Sequence, residues 1–206
     1  MKVLLLNGSP HQTGCTHTAL AEVSAALESE GVETELLWLG DGDTVGCRGC
    51  GACRRLGKCV YDDAVNIAAE KAAACDGLVV GSPVHFASAS GQVTCALDRL
   101  FYSARSALQL KPAAAVVTAR RAGTTAAIDQ LNKYFTINQM PIVSSRYWPM
   151  VHGNTPDEVR QDLEGLAVMR QLGRNMAWLL RCIEAGRAAG VALPAQEPPV
   201  STNFIR

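Results

Sequence analysis

The chain lacks the features that would tie it to a membrane or to a polyanion. No apolar run in its 206 residues approaches the ~20 needed to span a bilayer. The opening run over residues 3–6 stops at Asn7-Gly8, too soon to form the core of a secretory leader. Net charge is missing as well, since 19 Lys and Arg offset 19 Asp and Glu. A neutral chain has no overall electrostatic pull toward nucleic acid or an anionic lipid surface. Neither a block of like charge nor an internal repeat is present, which argues against disorder and against a solenoid. The expectation is a soluble, cytoplasmic protein with no nucleic-acid and no membrane partner. Its length suits one domain able to bury its own core.

What is present is an alternation of short apolar runs with helical patterns. Residues 3–6, 34–39, 77–81, 113–118 and 140–143 read as strands. Residues 16–30 read as a helix with Leu20, Val23 and Leu27 on one face and Gly31 as its stop. Residues 92–101 follow, with Val93, Leu97, Leu100 and Phe101 inward, and then residues 126–135. Thr155-Pro156-Asp157-Glu158 is a capping box, predicted to open one long amphipathic helix through Val159, Leu163, Leu166, Met169, Leu172, Met176, Leu179 and Ile183. Near-continuous apolar strands between helices predict an α/β fold, a parallel sheet covered on both faces by right-handed crossovers. Five strands suit a doubly wound, flavodoxin-like arrangement. The domain is expected over residues 1–190, followed by an extended, proline-bearing tail over 191–206.

The loop after the first strand, Asn7-Gly8-Ser9-Pro10-His11-Gln12-Thr13-Gly14-Cys15-Thr16-His17-Thr18, joins hydroxyls to the amides of a helix N-terminus. Such a cradle suits a monophosphate held by hydrogen bonds; an ordinary Ser/Thr-rich turn and cap is the plainer reading. Neither G-x-x-x-x-G-K-[ST] nor G-x-G-x-x-G occurs here, which disfavours a nucleoside triphosphatase and a standard NAD fingerprint. The N-G-S-P of this loop resembles the NADPH-dependent FMN reductase branch of the flavodoxin-like superfamily. That resemblance implies three layers around a sheet of order 2-1-3-4-5, and FMN with its phosphate on Ser9, His11, Thr16 and Thr18. His11 stands where the pattern usually has Arg or Lys, and Cys15 where it usually has Asn.

Two further loops carry the resemblance. Gly81-Ser82-Pro83-Val84-His85-Phe86-Ala87-Ser88-Ala89-Ser90-Gly91-Gln92, leading into Leu97-Asp98-Arg99-Leu100, looks like the family's G-S-P-V-Y-F…D-R-L segment. It implies that the backbone of Pro83, Val84, His85 and Phe86 meets the polar edge of the flavin, with Ser88 in the same loop. His85 replaces the usual Tyr. The stretch from Thr118 through Arg120, Arg121 and Gly123 resembles the third flavin-contacting loop. An arginine near the pyrimidine end would stabilise the anionic reduced ring, although the sequence leaves open which of the two faces it. Trp148, His152 and Gly153 resemble a Y-W…G segment that closes over the flavin, a core Trp being the ordinary alternative.

Eight cysteines in a chain without an export signal are poor material for a disulfide framework. Cys47, Cys50, Cys53 and Cys59 form C-x2-C-x2-C-x5-C, with Gly49, Gly51 and Ala52 allowing close approach. Arg48, Arg54, Arg55 and Lys58 would offset the charge of a thiolate-bound cluster. The pattern fits a [4Fe-4S] cubane. Structural zinc usually uses two knuckles with a longer spacer, and free thiols remain a third reading, because cluster-free relatives resemble the Gly57-Lys58-Cys59-Val60-Tyr61-Asp62-Asp63 run. Cys75, Cys95 and Cys182 lie in helical patterns and read as packing residues.

Together with the cysteines, the resemblance points to the iron–sulfur flavoproteins. It implies electron transfer between a reduced donor (ferredoxin or NAD(P)H) and a small-molecule acceptor through FMN and the cluster. It also implies a homodimer or homotetramer that sets one subunit's cysteine loop near another's flavin. A cluster-free NAD(P)H-dependent FMN or quinone reductase is the first alternative; a non-enzymatic thiol or metal-binding redox sensor is the second.

Overall fold

A sheet whose central strands are buried on both faces forms the middle layer of the molecule. The computed structural model describes residues 1–198, 200–202 and 204. In chain order the elements are β1 (Lys2–Asn7), α1 (Cys15–Ser29), β2 (Glu33–Trp38), α2 (Cys53–Leu56), α3 (Ala64–Ala74), β3 (Gly77–His85), β4 (Ser88–Ala89), α4 (Gly91–Ser103), α5 (Arg105–Leu108), β5 (Ala113–Ala119), α6 (Thr124–Ile137), β6 (Met150–His152), α7 (Pro156–Gln161) and α8 (Leu163–Ala188). Five strands run parallel in the order β2-β1-β3-β5-β6, and β4 turns back antiparallel on the far end of β3. This is the doubly wound order expected from the sequence.

Alternation along the strands divides the core into two. Leu4, Leu6, Leu78, Val80, Ala113, Ala115 and Val117 face one side and pack against α3, α4 and α6. Val3, Leu5, Val79, Ala114 and Val116 face the other and pack against α1 and α8. With a period of two, each buried strand feeds both layers, so no polar residue can be spared in its centre. The α1–α8 seam is close because Gly173 has no side chain; a Cβ there would lie 2.7 Å from that of Ala26.

Three expectations are corrected. The fifth strand is not residues 140–143: Ile142 makes only an isolated bridge to Ala113, and the strand is Met150–His152. Val143 donates its amide to Ala113 O at 2.8 Å and Pro149 O accepts from Val117 at 3.0 Å, so β5 is edged by two short pieces. The stretch between them loops outward, and Asn175 Nδ2 holds Ser144 O at 2.8 Å. Nor is the C-terminal helix continuous from Pro156. Asp162 leaves helical geometry, caps Gly165 N at 2.9 Å and accepts the amide of His152 at 2.7 Å, which separates α7 from α8 and leaves Leu163 exposed. Finally, Cys75 is buried and Cys95 half-buried, but Cys182 is exposed rather than packed. Described residues beyond 190 form neither helix nor strand; Gln196 there accepts from Gln109 Nε2 at 3.0 Å. No helix among the described residues is long and apolar enough to cross a membrane.

Candidate functional site

The carboxyl ends of β1 and β3 meet by close backbone approach, with that of β5 alongside. Gly8 N donates to Gly81 O at 2.9 Å. The fully buried Asn7 shapes the first loop from inside: its Oδ1 accepts the Ser9 amide at 3.1 Å and its Nδ2 donates to Gln12 O at 3.0 Å. Trp38 Nε1 braces the loop from β2, donating to Ser9 O at 2.8 Å, and Ser9 Oγ accepts the His11 amide at 3.1 Å.

Apart from the four-residue α2 and α5, helices without a side-chain cap are confined to this edge. α3, α4, α7 and α8 are capped by the side chains of Asp63, Ser90, Thr155 and Asp162. α1 begins behind Gly14 and α6 behind Gly123, neither of which supplies a side-chain cap. Unpaired amides of a helix N-terminus attract anions, and these two helices present theirs at the ends of β1 and β5.

The second loop is a two-residue hairpin. Phe86 and Ala87 both take left-handed conformations, φ 52° and 58°, which non-glycine residues adopt at a cost. Gln130 Oε1 fixes the return strand, accepting Ser88 Oγ at 2.7 Å and Ala89 N at 2.9 Å. The third loop abuts this hairpin. Gly123 has φ 97°, and a Cβ there would lie 2.7 Å from Ala87 Cα.

The residues singled out from the sequence fall into two groups. Ser9, Thr16 and Thr118 are buried, and Thr16 Oγ1 meets Thr118 Oγ1 at 3.0 Å. Cys15, Thr18, Pro83, Val84, Ser88 and Gly123 are half-buried, whereas His11, His85, Phe86, Arg120 and Arg121 are exposed. Both arginines therefore face solvent. Thr18 Oγ1 donates to Gly14 O at 3.2 Å, and Cys15 Sγ reaches Gly153 O at 3.8 Å. Burial, helped by Glu158, raises the Cys15 thiol above its ordinary pKa against the opposing helix-terminal hydrogen bond. Trp148 lies outside the core, edge-on to Tyr147 with ring centres 4.8 Å apart. His152 Nε2 lies 3.1 Å from Arg121 O, tying β6 to the third loop.

The four clustered cysteines wall one cavity of about 190 Å³ together with Arg48, Arg54, Tyr61, Arg99 and Tyr102. Cys47 and Cys50 are exposed; Cys53 and Cys59 are half-buried. Cys53 opens α2, which Gly57 closes in a left-handed conformation (φ 71°), returning the chain to Cys59. Among the described residues, no three His, Cys, Asp or Glu side chains converge as a single ion would require. All four cysteines instead line one shared volume. Soft thiols around a common cavity, with cations on its wall, fit a thiolate-ligated cluster.

Sequence reasoning overlooked the residues that hold this loop. Asn66 is buried and clamps Cys59 through its backbone, accepting its amide at 3.0 Å and donating to its carbonyl at 3.1 Å. Arg99 forks onto Asp63 at 2.6 and 2.8 Å. Burial opposes both charges. The Arg99 hydrogen bonds nevertheless hold Asp63 below the usual carboxylate range, and those to Asp63 and Cys59 raise Arg99. The D-R-L motif marked Arg99 without revealing its partners.

The model of the NADPH-dependent FMN reductase family matches residues 1–155. The chain belongs to this family. An iron–sulfur flavoprotein of Methanocaldococcus jannaschii is 33% identical over 194 residues, covering 89% of this chain and 100% of that protein. Among solved structures, RosB with bound 8-demethyl-8-formylriboflavin-5'-phosphate superposes with a TM-score of 0.70 at 17% identity, over 100% of this chain and 94% of that one. A WrbA-like flavodoxin from Agrobacterium tumefaciens superposes at 0.61 with 16% identity, over 88% and 97%. At such identities the two structures establish the flavodoxin-like fold. This FMN reductase family member is a flavin-dependent oxidoreductase, and FMN is its cofactor.

Proposed function

We propose that the protein is an iron–sulfur flavoprotein, in which Cys47, Cys50, Cys53 and Cys59 hold a [4Fe-4S] cluster and electrons pass between a reduced donor, ferredoxin or NAD(P)H, and a small-molecule acceptor. The observation that carries this reading is the single cavity walled by all four cysteines and backed by a buried guanidinium. The iron–sulfur flavoprotein relative, matched along its whole length, supports it.

In this reading the FMN phosphate lies on the uncapped amides of α1, beside Ser9, Thr16 and Thr18. His11 is exposed beside them. Pro83, Val84, His85 and Phe86 border the ring, and the amides of the third loop meet its far edge. When bound, FMN stores electrons in pairs and the cluster passes them singly.

The positions of the two sites along α4 bear on the route. Ser90, at the flavin end, donates to Gly8 O at 2.8 Å, whereas the cysteine cavity lies beside Arg99 and Tyr102. Nine residues of helix separate Ser90 from Arg99, or about 14 Å of rise. Transfer between the cluster of one subunit and the flavin of another, in a homodimer or homotetramer, shortens that gap. The exposed Leu56, Val60 and Tyr102 beside the cavity suit burial in such an assembly.

Anaerobic purification followed by iron, acid-labile sulfide, zinc and flavin assays tests the proposal. About four iron and four sulfide per chain, with FMN, is the expected result. Flavin without iron would mean a cluster-free reductase. Zinc, or no bound group, would mean a thiol or metal-binding sensor.

A further inference from the structure

One side chain gathers the stretches of chain that surround the cysteine cavity. Arg99, on the second half of α4, is only 1% exposed. Its NH1 donates to Val45 O at 3.3 Å, two residues before Cys47. Its NH2 donates to Tyr61 O at 3.3 Å, two residues after Cys59. Asp63 receives both ends of the fork, and the guanidinium lies 5.0 Å from the centre of the Tyr61 ring. The remaining donor, Nε, points at Cys59 Sγ from 3.2 Å. Entry and exit of the loop thus hang on one planar group. Lysine, a point charge on a flexible stem, cannot reproduce that geometry.

The four cysteines are consequently unequal. Cys47 and Cys50 are exposed, and Cys53 Sγ faces the carbonyl of Tyr102 at 3.7 Å. Among the described residues, only Cys59 of the four receives a side-chain N–H on its sulfur, and its backbone is clamped by Asn66 on both sides.

We propose that Arg99 is the positioning residue of the cluster, presenting Cys59 as the one ligand whose sulfur is hydrogen-bonded by a buried cation. The inference rests on the reading that the four cysteines hold a [4Fe-4S] cluster. A hydrogen bond to a ligating sulfur draws electron density from it and raises the reduction potential. The iron held by Cys59 is then the most firmly anchored of the four. Cys47 and Cys50 form the side at which the cluster opens.

The test compares wild type with Arg99→Lys, which keeps the charge and loses the fork. With FMN content unchanged, the variant should show a more negative cluster potential and lose iron to a chelator about 10–100-fold faster. An iron-loaded Arg99→Lys protein at wild-type potential would overturn the inference, as would one that loses iron at the wild-type rate. If the variant does not fold, pulsed EPR of reduced wild type grown on arginine labelled with 15N at Nε decides, read beside Arg48→Gln and Arg54→Gln proteins grown the same way: a nitrogen coupling that survives both changes supports the inference and its absence rejects it. A wild type that carries no iron fails the cluster reading at the first assay, before any Arg99 comparison is made.

Discussion

Thr16 and Thr118 stand 102 residues apart in the chain, yet their hydroxyls meet at 3.0 Å where the first turn of α1 meets the end of β5, beside the proposed flavin site. Both are buried, so each depends on the other. Thr16→Val leaves the Thr118 hydroxyl without a partner, at about 1–3 kcal/mol, and removes a hydroxyl from the phosphate cradle. FMN affinity should fall about tenfold or more, read from quenching of flavin fluorescence. Stability lost in Thr16→Val should be partly recovered in Thr16→Val/Thr118→Val, because the double change leaves no orphaned hydroxyl.

Asp63 partners a guanidinium that is almost wholly buried. Asp63→Ala strands that cation and should destabilise the fold by about 3–5 kcal/mol in urea titrations. Asp63→Asn, which keeps an acceptor, should cost less. The folded state lowers the Asp63 pKa below its ordinary value of 3.8. Its contribution is therefore complete above that value and disappears as pH falls through the lower, folded one. Acid unfolding of Asp63→Asn should lack that component.

The hairpin at Phe86-Ala87 carries two left-handed non-glycine residues. Ala87→Gly relieves one of them and should stabilise the protein by about 0.5–1 kcal/mol, seen as a higher Tm. Gly123→Ala acts in the opposite sense, because its Cβ would strike the Ala87 backbone in a conformation already unfavourable for alanine. It should lower both Tm and FMN affinity, since the two loops must move apart.

Stripping iron anaerobically with a chelator should leave FMN bound. The chain that leads from β2 toward the cysteine loop is tied to the first turn of α4 by Gln92 Nε2, which donates to Gly40 O, six residues before the loop begins at Gly46. Flavin retained after iron loss, measured by absorbance following desalting, checks this. Joint release of both groups would contradict the separation of the sites.

β1, β3 and β5 were legible because their centres are buried on both faces and tolerate only apolar residues, whereas β2, half-buried at the sheet edge, was read from Leu36, Leu37 and Leu39. β6 was not legible. Met140 and Val143 are buried and carry the apolar signal, but sheet pairing passes to Met150–His152. α3 was hidden because its buried residues include the small Ala68 and Ala72, which give a weak periodicity; its N-cap, Asp63, was the readable sign. Asp162 looked like one more polar position on a long helix, since its bond to His152 N depends on a strand ten residues earlier. At the sites, cysteine spacing and the N-G-S-P turn were visible as local patterns. The D-R-L motif marked Arg99, but its role was hidden, because its partners lie 36 to 54 residues earlier in the chain.

If FMN sits on the bare amino ends of α1 and α6, as proposed, folding is coupled to vitamin supply. A ligand that binds only the native state adds about 2.7 kcal/mol when present at a hundred times its Kd. Apoprotein forgoes that gain and spends more time unravelled, open to proteases. Riboflavin scarcity would accordingly thin the protein's abundance, not merely leave its copies idle.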